Sequence, residues 1–412
     1  MNKLESLLKY VAKNNKYYKD VINQNNISDP NDITMYPILT RKKLQENRHA
    51  IFSDGYEKLY YSQQLITQSS SGTTGVPIYT YWETKDYYNS MRILWRKRLE
   101  YYGVHPYQKH IQFTLNSVSS EKYDDKVVWI KESQNILNIC RSSLREEKNY
   151  KQLIKIIEEF EPEWLYIQPY ILRKLIKSYI DNNIKPPSSI LYVESVGEIL
   201  PLELKELAKS FFKVPVANLY GSEEMNGIAY ECPFNRMHVL SENVYVECRN
   251  VNGIHCIGEG EAIITNLANK AMPLIRYNQG DLITLNNLPK PCSCGSIEPV
   301  VDRIIGREYE KIKVGKVELN PYMLLMTMSN INNEFNSILT CYRFEYSKAN
   351  KSLVCFIELS GSRKKWFKVL KDEILSMLTP ILECSAGITI DVLHDIQDNN
   401  FDNKHKFFKI AD

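Results

Sequence analysis

The stretch SSSGTTGVP, residues 69–77, sets three serines, two threonines and two glycines side by side, between YYSQQLITQ and IYTYWETKD. Ser and Gly mark turns, so a flexible loop is the plain reading. The same composition suits a phosphate cradle. Gly72 and Gly75 would let backbone N–H groups approach an anion closely, and the hydroxyls would supply further donors. Taken alone, the stretch leaves the two readings level. A Walker-type loop is disfavoured, because that loop needs a lysine after its second glycine to reach the phosphates, and here Val76 and Pro77 follow Gly75.

Working outward, 412 residues predict two to four folding units at ~100–200 residues per domain. With 43% hydrophobic and 25% charged residues the chain has apolar material for a large core. Its net charge of +3 is small against 52 basic and 49 acidic residues, which gives no signature for nucleic acid. The first twenty residues read as an amphipathic helix, with Leu4, Leu7, Leu8 and Val11 along one side, rather than a targeting segment. No run approaches the ~18 apolar residues of a membrane span. Nine cysteines, an odd number scattered through a chain without a secretion signal, fit reduced thiols in a cytoplasm better than a disulfide framework.

Beyond the loop, ETKDYYNSMRILWRKRLEYYGV predicts a long helix ended by Gly103. HIQFTL reads as a strand, NYKQLIKIIEEFEP as a helix, EWLYIQP as an apolar strand and YILRKLIKSYIDNN as a helix. SSILYVESVG, LPLELKELAKSFF and VPVANLYG continue as strand, helix and strand. Strands alternating with helices predict an α/β fold with substantial parallel pairing. From about residue 230 the pattern changes to short stretches with β-branched residues at period two, broken by Asn-Gly and Gly-rich turns. The expected organisation is a large N-terminal part, 1–306, whose β-rich subdomain covers about 230–306. A small mixed α+β C-terminal domain, 307–412, follows, with a helix around KKWFKVLKDEILSML.

Several motifs follow the loop in order. NLYGSEE (218–224) ends a strand with an aromatic, a glycine and two carboxylates. PLIRYNQGDLITL (273–285) places Arg276, Gly280 and Asp281 between two strands, and GREYEKIKVG (306–315) puts Arg307 at the expected domain boundary. Together with SSSGTTGVP they resemble the ordered motifs of the adenylate-forming superfamily of acyl-CoA synthetases, luciferases and peptide-synthetase adenylation domains. Within it the chain is most similar to the phenylacetate–CoA ligase family, including branches found with capsular-polysaccharide genes. MYPILTRKKL, VGEILPLELKEL, LYGSEEMNGIAYEC, TNLANKAMPLIRYNQGD and CSCGSIEPVVDRIIGR carry that likeness over nearly the whole chain.

The resemblance implies roles. Ser70, Ser71, Gly72, Thr73, Thr74 and Gly75 would hold the β- and γ-phosphates of ATP. Tyr220 would lie against the adenine, with Gly197, Glu198, Asn218, Gly221 and Ser222 lining the nucleotide pocket. Glu224 would bind Mg²⁺, Asp281 would accept hydrogen bonds from the ribose hydroxyls, and Arg307 would assist from the hinge side. These residue types suit the chemistry. A carboxylate attacking the α-phosphorus brings two anions together, so a metal ion and fixed N–H dipoles supply the main catalytic need. Singly, each residue has a structural reading too: Glu223 and Glu224 as turn caps, Asp281 as the end of a β-turn, Arg276 as a solvated strand residue.

The match has departures. Ile78 follows Pro77 where many relatives place a lysine shortly after, and the hinge carries Glu308, Tyr309 and Glu310 where the superfamily has an Asp pair. The tail NNFDNKHKFFKIAD resembles the closing segment that presents a catalytic lysine. Lys406 aligns best, Lys404 and Lys409 are the alternatives, and a basic solvated tail is the structural reading. A second constellation, Cys232, His238, Cys292 and Cys294, matches structural zinc in number and softness, and some phenylacetate–CoA ligase relatives carry such a set. Unrelated residues in a reducing cytosol remain the alternative. Tyr81 and Trp82 are the candidates for an acid pocket, which would suit an aryl or medium-length apolar acid.

The resemblance therefore implies an AMP-forming acid–thiol ligase using ATP and Mg²⁺. It would form an acyl-adenylate and pass the acyl group to coenzyme A, with an amine or a carrier-protein thiol as the variant acceptor. A catalytically weak nucleotide- or partner-binding protein of the same fold is the rival. A cytoplasmic monomer or homodimer is expected.

Overall fold

A computed structural model describes residues 2–69, 77–114, 130–133, 135–144, 147–307, 311–314, 317–336, 338–339, 341–359, 361–394 and 407–411. The fold is mixed α/β, and its residues form two compact units, 1–105 with 217–308 and 106–216 with 309–412. The C-terminal hundred residues thus pack in one unit with the middle segment.

The first unit is built on an antiparallel sheet. Its strands run in the order Gly253–His255, Val244–Asn250, Gly258–Asn266, Tyr277–Asn286, Val300–Arg307, Met237–Val239, Asn226–Glu231 and Val216–Ser222. The expected β-rich region is therefore present, and it begins with the strand that carries Tyr220. Four strand spacings separate Val216–Ser222 from Tyr277–Asn286, ~19 Å in a flat sheet. Yet the Tyr220 hydroxyl donates to Asp281 at 2.8 Å. The sheet must curl through this region, and the curl is what assembles the site.

Two features fix the entry to the Tyr277–Asn286 strand. Arg276 adopts a left-handed φ of +50° and is buried. Its guanidinium pairs with Glu247 at 2.6 Å and donates to the carbonyls of Thr34 and Tyr36. Arg276 is thus a buried anchor, not the solvated strand residue that its sequence context allowed. Further along, the pairing with Gly258–Asn266 slips between Glu261 and Ile263, opposite Gly280, whose φ is +89°. Such bulges re-aim side chains, here those of Gln279 and Asp281.

The second unit holds a mostly parallel sheet in the order Tyr192–Val196, Trp164–Ile167, His110–Thr114 and Ile136–Cys140, with Ile130–Ser133 antiparallel at its edge. Helices Glu147–Phe160, Pro169–Asp181 and Leu202–Phe212 contribute apolar side chains to the same core as one face of these strands, with Ile111, Leu165 and Val193 at its centre. The C-terminal part of this unit is a small sheet, Thr389–His394, Ser352–Glu358, Cys341–Ser347 and Phe408–Ala411, covered by helices Pro321–Glu334 and Phe367–Ala386.

Sequence signals mostly set the boundaries. The helix Thr84–Tyr102 stops at Gly103, whose φ of +67° suits a residue without a Cβ. The last helix runs past its expected end to Ala386, through Pro380. Leu370, Ile374, Leu378 and Leu382 are all fully buried along it, and that apolar contact outweighs one lost backbone hydrogen bond.

Candidate functional site

In the first unit the curled sheet brings Tyr220, Gln279, Asp281 and Arg307 together. Asp281 Oδ2 accepts from the Tyr220 hydroxyl at 2.8 Å and from Gln279 Nε2 at 2.7 Å. Gln279 Nε2 also lies 3.0 Å from the Tyr220 hydroxyl. Asp281 Oδ1 takes the Arg307 Nε at 3.2 Å, across directly paired strand positions. An ionised carboxylate offers about four lone-pair sites. With Oδ2 doubly engaged, Oδ1 is the oxygen with room for a further donor. Burial, and then the adjacent Asp281 charge, hold the Tyr220 hydroxyl well above the usual phenol range, so it stays a donor.

Glu224 follows the same strand and is buried. Its Oε1 accepts from the Tyr277 hydroxyl at 3.4 Å, and its backbone carbonyl accepts from Asn266. Burial and then the Glu224 charge raise the Tyr277 hydroxyl far above its ordinary value. Between Tyr220 and Glu224, Gly221 is obligatory: a Cβ there would come 2.5 Å from the Asn226 carbonyl oxygen. The buried Ser222 hydroxyl has no hydrogen-bond partner among the described residues. The Asn218 backbone N–H donates to Glu231 at 2.9 Å.

The Gly197–Glu198 pair lies in the second unit, just beyond the Tyr192–Val196 strand. Gly197 has φ +82°, and a Cβ on it would lie 3.7 Å from Gln168 Cγ. Glu198 Oε2 accepts from the Tyr170 N–H. An open recess is lined by Tyr170, Arg173, Glu198, Tyr342 and Phe407, among others. Lys406 itself, like Ser70–Gly75 of the opening loop, lies outside the described residues. Its sequence neighbour Phe407 nevertheless stands in the same recess as Glu198.

Tyr81 and Trp82 are both buried within the first unit. Tyr81 packs on Tyr60 and Phe52, and Trp82 lies edge-on to Tyr87, its indole N–H without a partner among the described residues. Sequence reasoning passed over Gln279, although it sits one residue before Gly280 in PLIRYNQGDLITL. It also passed over Gln168, which closes the apolar EWLYIQP run.

The Cys/His set converges. The ligand atoms of Cys232, His238, Cys292 and Cys294 all lie within 4.8 Å of one another, with Cys232 and Cys292 sulfurs 3.9 Å apart and Cys294 Sγ 3.3 Å from His238 Nε2. Zn–S bonds of ~2.3 Å and Zn–N bonds of ~2.0 Å in a tetrahedron give ligand separations of this size. The other ring nitrogen, His238 Nδ1, is 3.3 Å from the Glu298 carbonyl, the contact that orients a metal-binding imidazole. Burial lowers the His238 pKa and so favours the neutral ring that a metal ion requires. The donor set fits a closed structural zinc site.

No family model matches the chain. It is 24% identical over 311 residues to protein CapK of Staphylococcus aureus, an alignment that covers 74% of this chain and 66% of that protein. It is 24% identical over 176 residues to phenylacetate–coenzyme A ligase of Thermus thermophilus, covering 41% of this chain and 39% of that enzyme. The chain thus matches just under two thirds of the first relative's length and well under half of the second's. Among solved structures, 2-hydroxyisobutyryl-CoA ligase in a postadenylation state with R3-HIB-AMP superposes with a TM-score of 0.75 at 13% identity, covering 98% of this chain and 87% of that one. The chain shares the fold of that acyl-CoA ligase. In sequence it is similar to protein CapK over most of its length and to phenylacetate–coenzyme A ligase over part of it.

Proposed function

We propose that the chain activates a carboxylic acid with ATP and then hands the acyl group to a thiol, coenzyme A first among candidates. In the first step a carboxylate oxygen attacks the α-phosphorus, an O–P bond forms, the α–β bridge breaks and pyrophosphate leaves. In the second a thiolate attacks the acyl carbon, a C–S bond forms and AMP departs.

The observation that carries this reading is the Asp281 carboxylate, locked by Tyr220, Gln279 and Arg307 with Oδ1 still able to accept. A fixed acceptor-only group beside a buried aromatic suits a nucleoside diol and base. Ser70–Gly75 are assigned to the β- and γ-phosphates, and Gly197, Glu198, Asn218, Gly221 and Ser222 to the wall of the nucleotide pocket. Glu224 is the carboxylate for Mg²⁺, which typically binds through one or two carboxylates together with substrate phosphates. Mg²⁺ would offset the charge that builds on the leaving pyrophosphate. Lys406 is assigned to the α-phosphate and acyl oxygen in the first step. The segment 307–412 moves between the two steps in this reading. Zinc at Cys232, His238, Cys292 and Cys294 would pin the β-rich region without entering the chemistry. A cytoplasmic site of action follows from the coenzyme A assignment and the reduced cysteines.

The acceptor variants are an amine, giving an amide, or a carrier-protein thiol. The test is AMP and pyrophosphate release with Mg-ATP over a panel of acids, with and without coenzyme A, beside Lys406→Ala. Acid-dependent release that collapses in the variant supports the reading. Mg-ATP binding with no release for any acid or acceptor overturns it in favour of a binding protein.

A further inference from the structure

Among the described residues, the parallel sheet of the second unit changes winding direction at its first strand. The His110–Thr114 strand comes first in the chain. The next parallel strand, Ile136–Cys140, pairs on one side of it, and Trp164–Ile167 then returns to pair on the other. Tyr192–Val196 continues outward from there. Open parallel sheets bind ligands in the crevice outside the carboxyl ends of the strands where the winding reverses. Here that crevice lies between Thr114, the last residue of its strand, and Gln168, the first residue beyond Trp164–Ile167.

Both residues carry polar atoms that the described residues leave unsatisfied. Gln168 is 5% exposed, and its Nε2 donates across the reversal to the Phe113 carbonyl at 3.2 Å. Among the described residues its buried Oε1 meets no donor, and the buried Thr114 hydroxyl has no partner. The Gln112–Tyr166 register puts Thr114 and Gln168 two residues further along, on one face of the two strands. Gln168 also precedes the helix Pro169–Asp181, yet its side chain makes no capping hydrogen bond to it. Buried groups of this kind are costly, and proteins keep them where something else completes their bonds. Gly197, beside Gln168 Cγ, joins this crevice to the Gly197–Glu198 wall.

We infer that the Thr114–Gln168 crevice is a polar subsite for the acid, and that the substrate is a hydroxyl- or amino-bearing carboxylic acid. The inference rests on the acid-activating reading above and names its substrate class. Gln168 Oε1 can only accept, so the ligand must donate, and the Thr114 hydroxyl can serve either way. A hydroxyl group satisfies both at once. An apolar acid would bury both without partners. Tyr81 and Trp82, the basis for expecting an aryl or apolar acid, are packed into the core of the other unit.

The test is acid-dependent ATP–pyrophosphate exchange with matched acids: 3-hydroxybutyrate and 3-aminobutyrate against butyrate, and 3-hydroxybenzoate against benzoate. Sites built to bond a substrate hydroxyl reject the analogue lacking it by large factors, so a preference of at least ~100-fold for a substituted acid is expected in one series. Thr114→Val, which keeps shape and removes only the hydroxyl, and Gln168→Met should each cut that ratio at least ~10-fold while Mg-ATP binding by calorimetry persists. Exchange that favours the unsubstituted acids, or a preference unchanged in both variants, overturns the polar subsite and leaves acid activation standing. Failure of the wild-type chain to bind Mg-ATP overturns the acid-activating reading, and this inference falls with it.

Discussion

Asp281 and Arg307 stand at directly paired positions of neighbouring antiparallel strands, with Arg307 Nε 3.2 Å from Asp281 Oδ1. The arginine therefore sits on the one carboxylate oxygen that Tyr220 and Gln279 leave open. Both groups are partly exposed, so the pair itself adds little to stability, on the order of 1 kcal/mol or less. Its consequence lies in positioning.

If Arg307 acts by holding Asp281, the two residues form one unit toward the nucleotide. Hydrogen bonds to a charged acceptor contribute ~1.5–3 kcal/mol, so Asp281→Asn should weaken Mg-ATP binding roughly 10- to 100-fold. Arg307→Ala should cost less by itself and almost nothing further in the Asp281→Asn background. Isothermal titration of the four proteins measures this coupling. Fully additive losses would mean that Arg307 meets the nucleotide independently.

The Cys232–His238–Cys292–Cys294 set predicts about one zinc per chain in protein purified without chelator. Cys232→Ser should bring that close to zero and destabilise the chain by on the order of 3 kcal/mol or more, since the strands on either side lose their clasp. Metal analysis and denaturant titration report the two effects separately. A chain that lacks zinc as purified, and whose unfolding ignores both chelator and the serine variant, would show the cluster to be four thiol and imidazole neighbours only.

How much of the fold is legible in the sequence depends on the kind of interaction that holds each part. Elements held by local signals were legible: Gly103 stopping a helix, the 3.6-residue apolar pattern of Glu147–Phe160, the switch to period two near residue 230. The order of motifs pointed to the fold that the chain shares with a solved acyl-CoA ligase, and the cysteine and histidine spacing singled out four residues that meet in space. Contacts that depend on the curl of the sheet were not legible. Nothing local to Gln279 says that its amide bridges Tyr220 and Asp281, because Tyr220 comes from a strand four places away. Arg276 shows the same limit. In sequence it is one arginine before a strand, and its burial follows from Glu247 and two carbonyls supplied by distant segments.

Arg276 yields the next prediction. It is buried beside an equally buried Glu247, with a bidentate pairing at 2.6 and 3.0 Å. Removing one partner of such a pair strands the other charge in a low-dielectric setting, at a cost of ~3–5 kcal/mol. Arg276→Ala should therefore lower the denaturation midpoint sharply, and Arg276→Lys should recover only part of it because an ammonium cannot reproduce the planar fork. Replacing both residues together, Arg276→Met with Glu247→Leu, should destabilise less than Arg276→Ala alone. A double variant that is the least stable of the set would refute the stranded-charge account.

Lys177 supplies a pH dependence. It is 4% exposed on the helix Pro169–Asp181, and burial, followed by the nearby Arg363 and Arg173 cations, pulls its pKa down from 10.5 to about 8. Asp181 and Glu203 oppose that shift without cancelling it. Between about pH 8 and 10.5 the folded chain binds fewer protons at this amine than the unfolded chain does. Stability from this group therefore rises with pH across that window and is flat below it. At neutral pH the charged amine is a burden on the order of 2–3 kcal/mol, which an apolar side chain of similar length would not carry. Lys177→Met should accordingly be more stable than the parent at pH 7, and its advantage should shrink steadily as the pH is raised toward 10. Denaturant titrations of both proteins at pH 7, 8.5 and 10 measure the difference directly. A Lys177→Met variant that is less stable at pH 7, or whose advantage does not change with pH, would show that the amine is comfortably solvated where it lies.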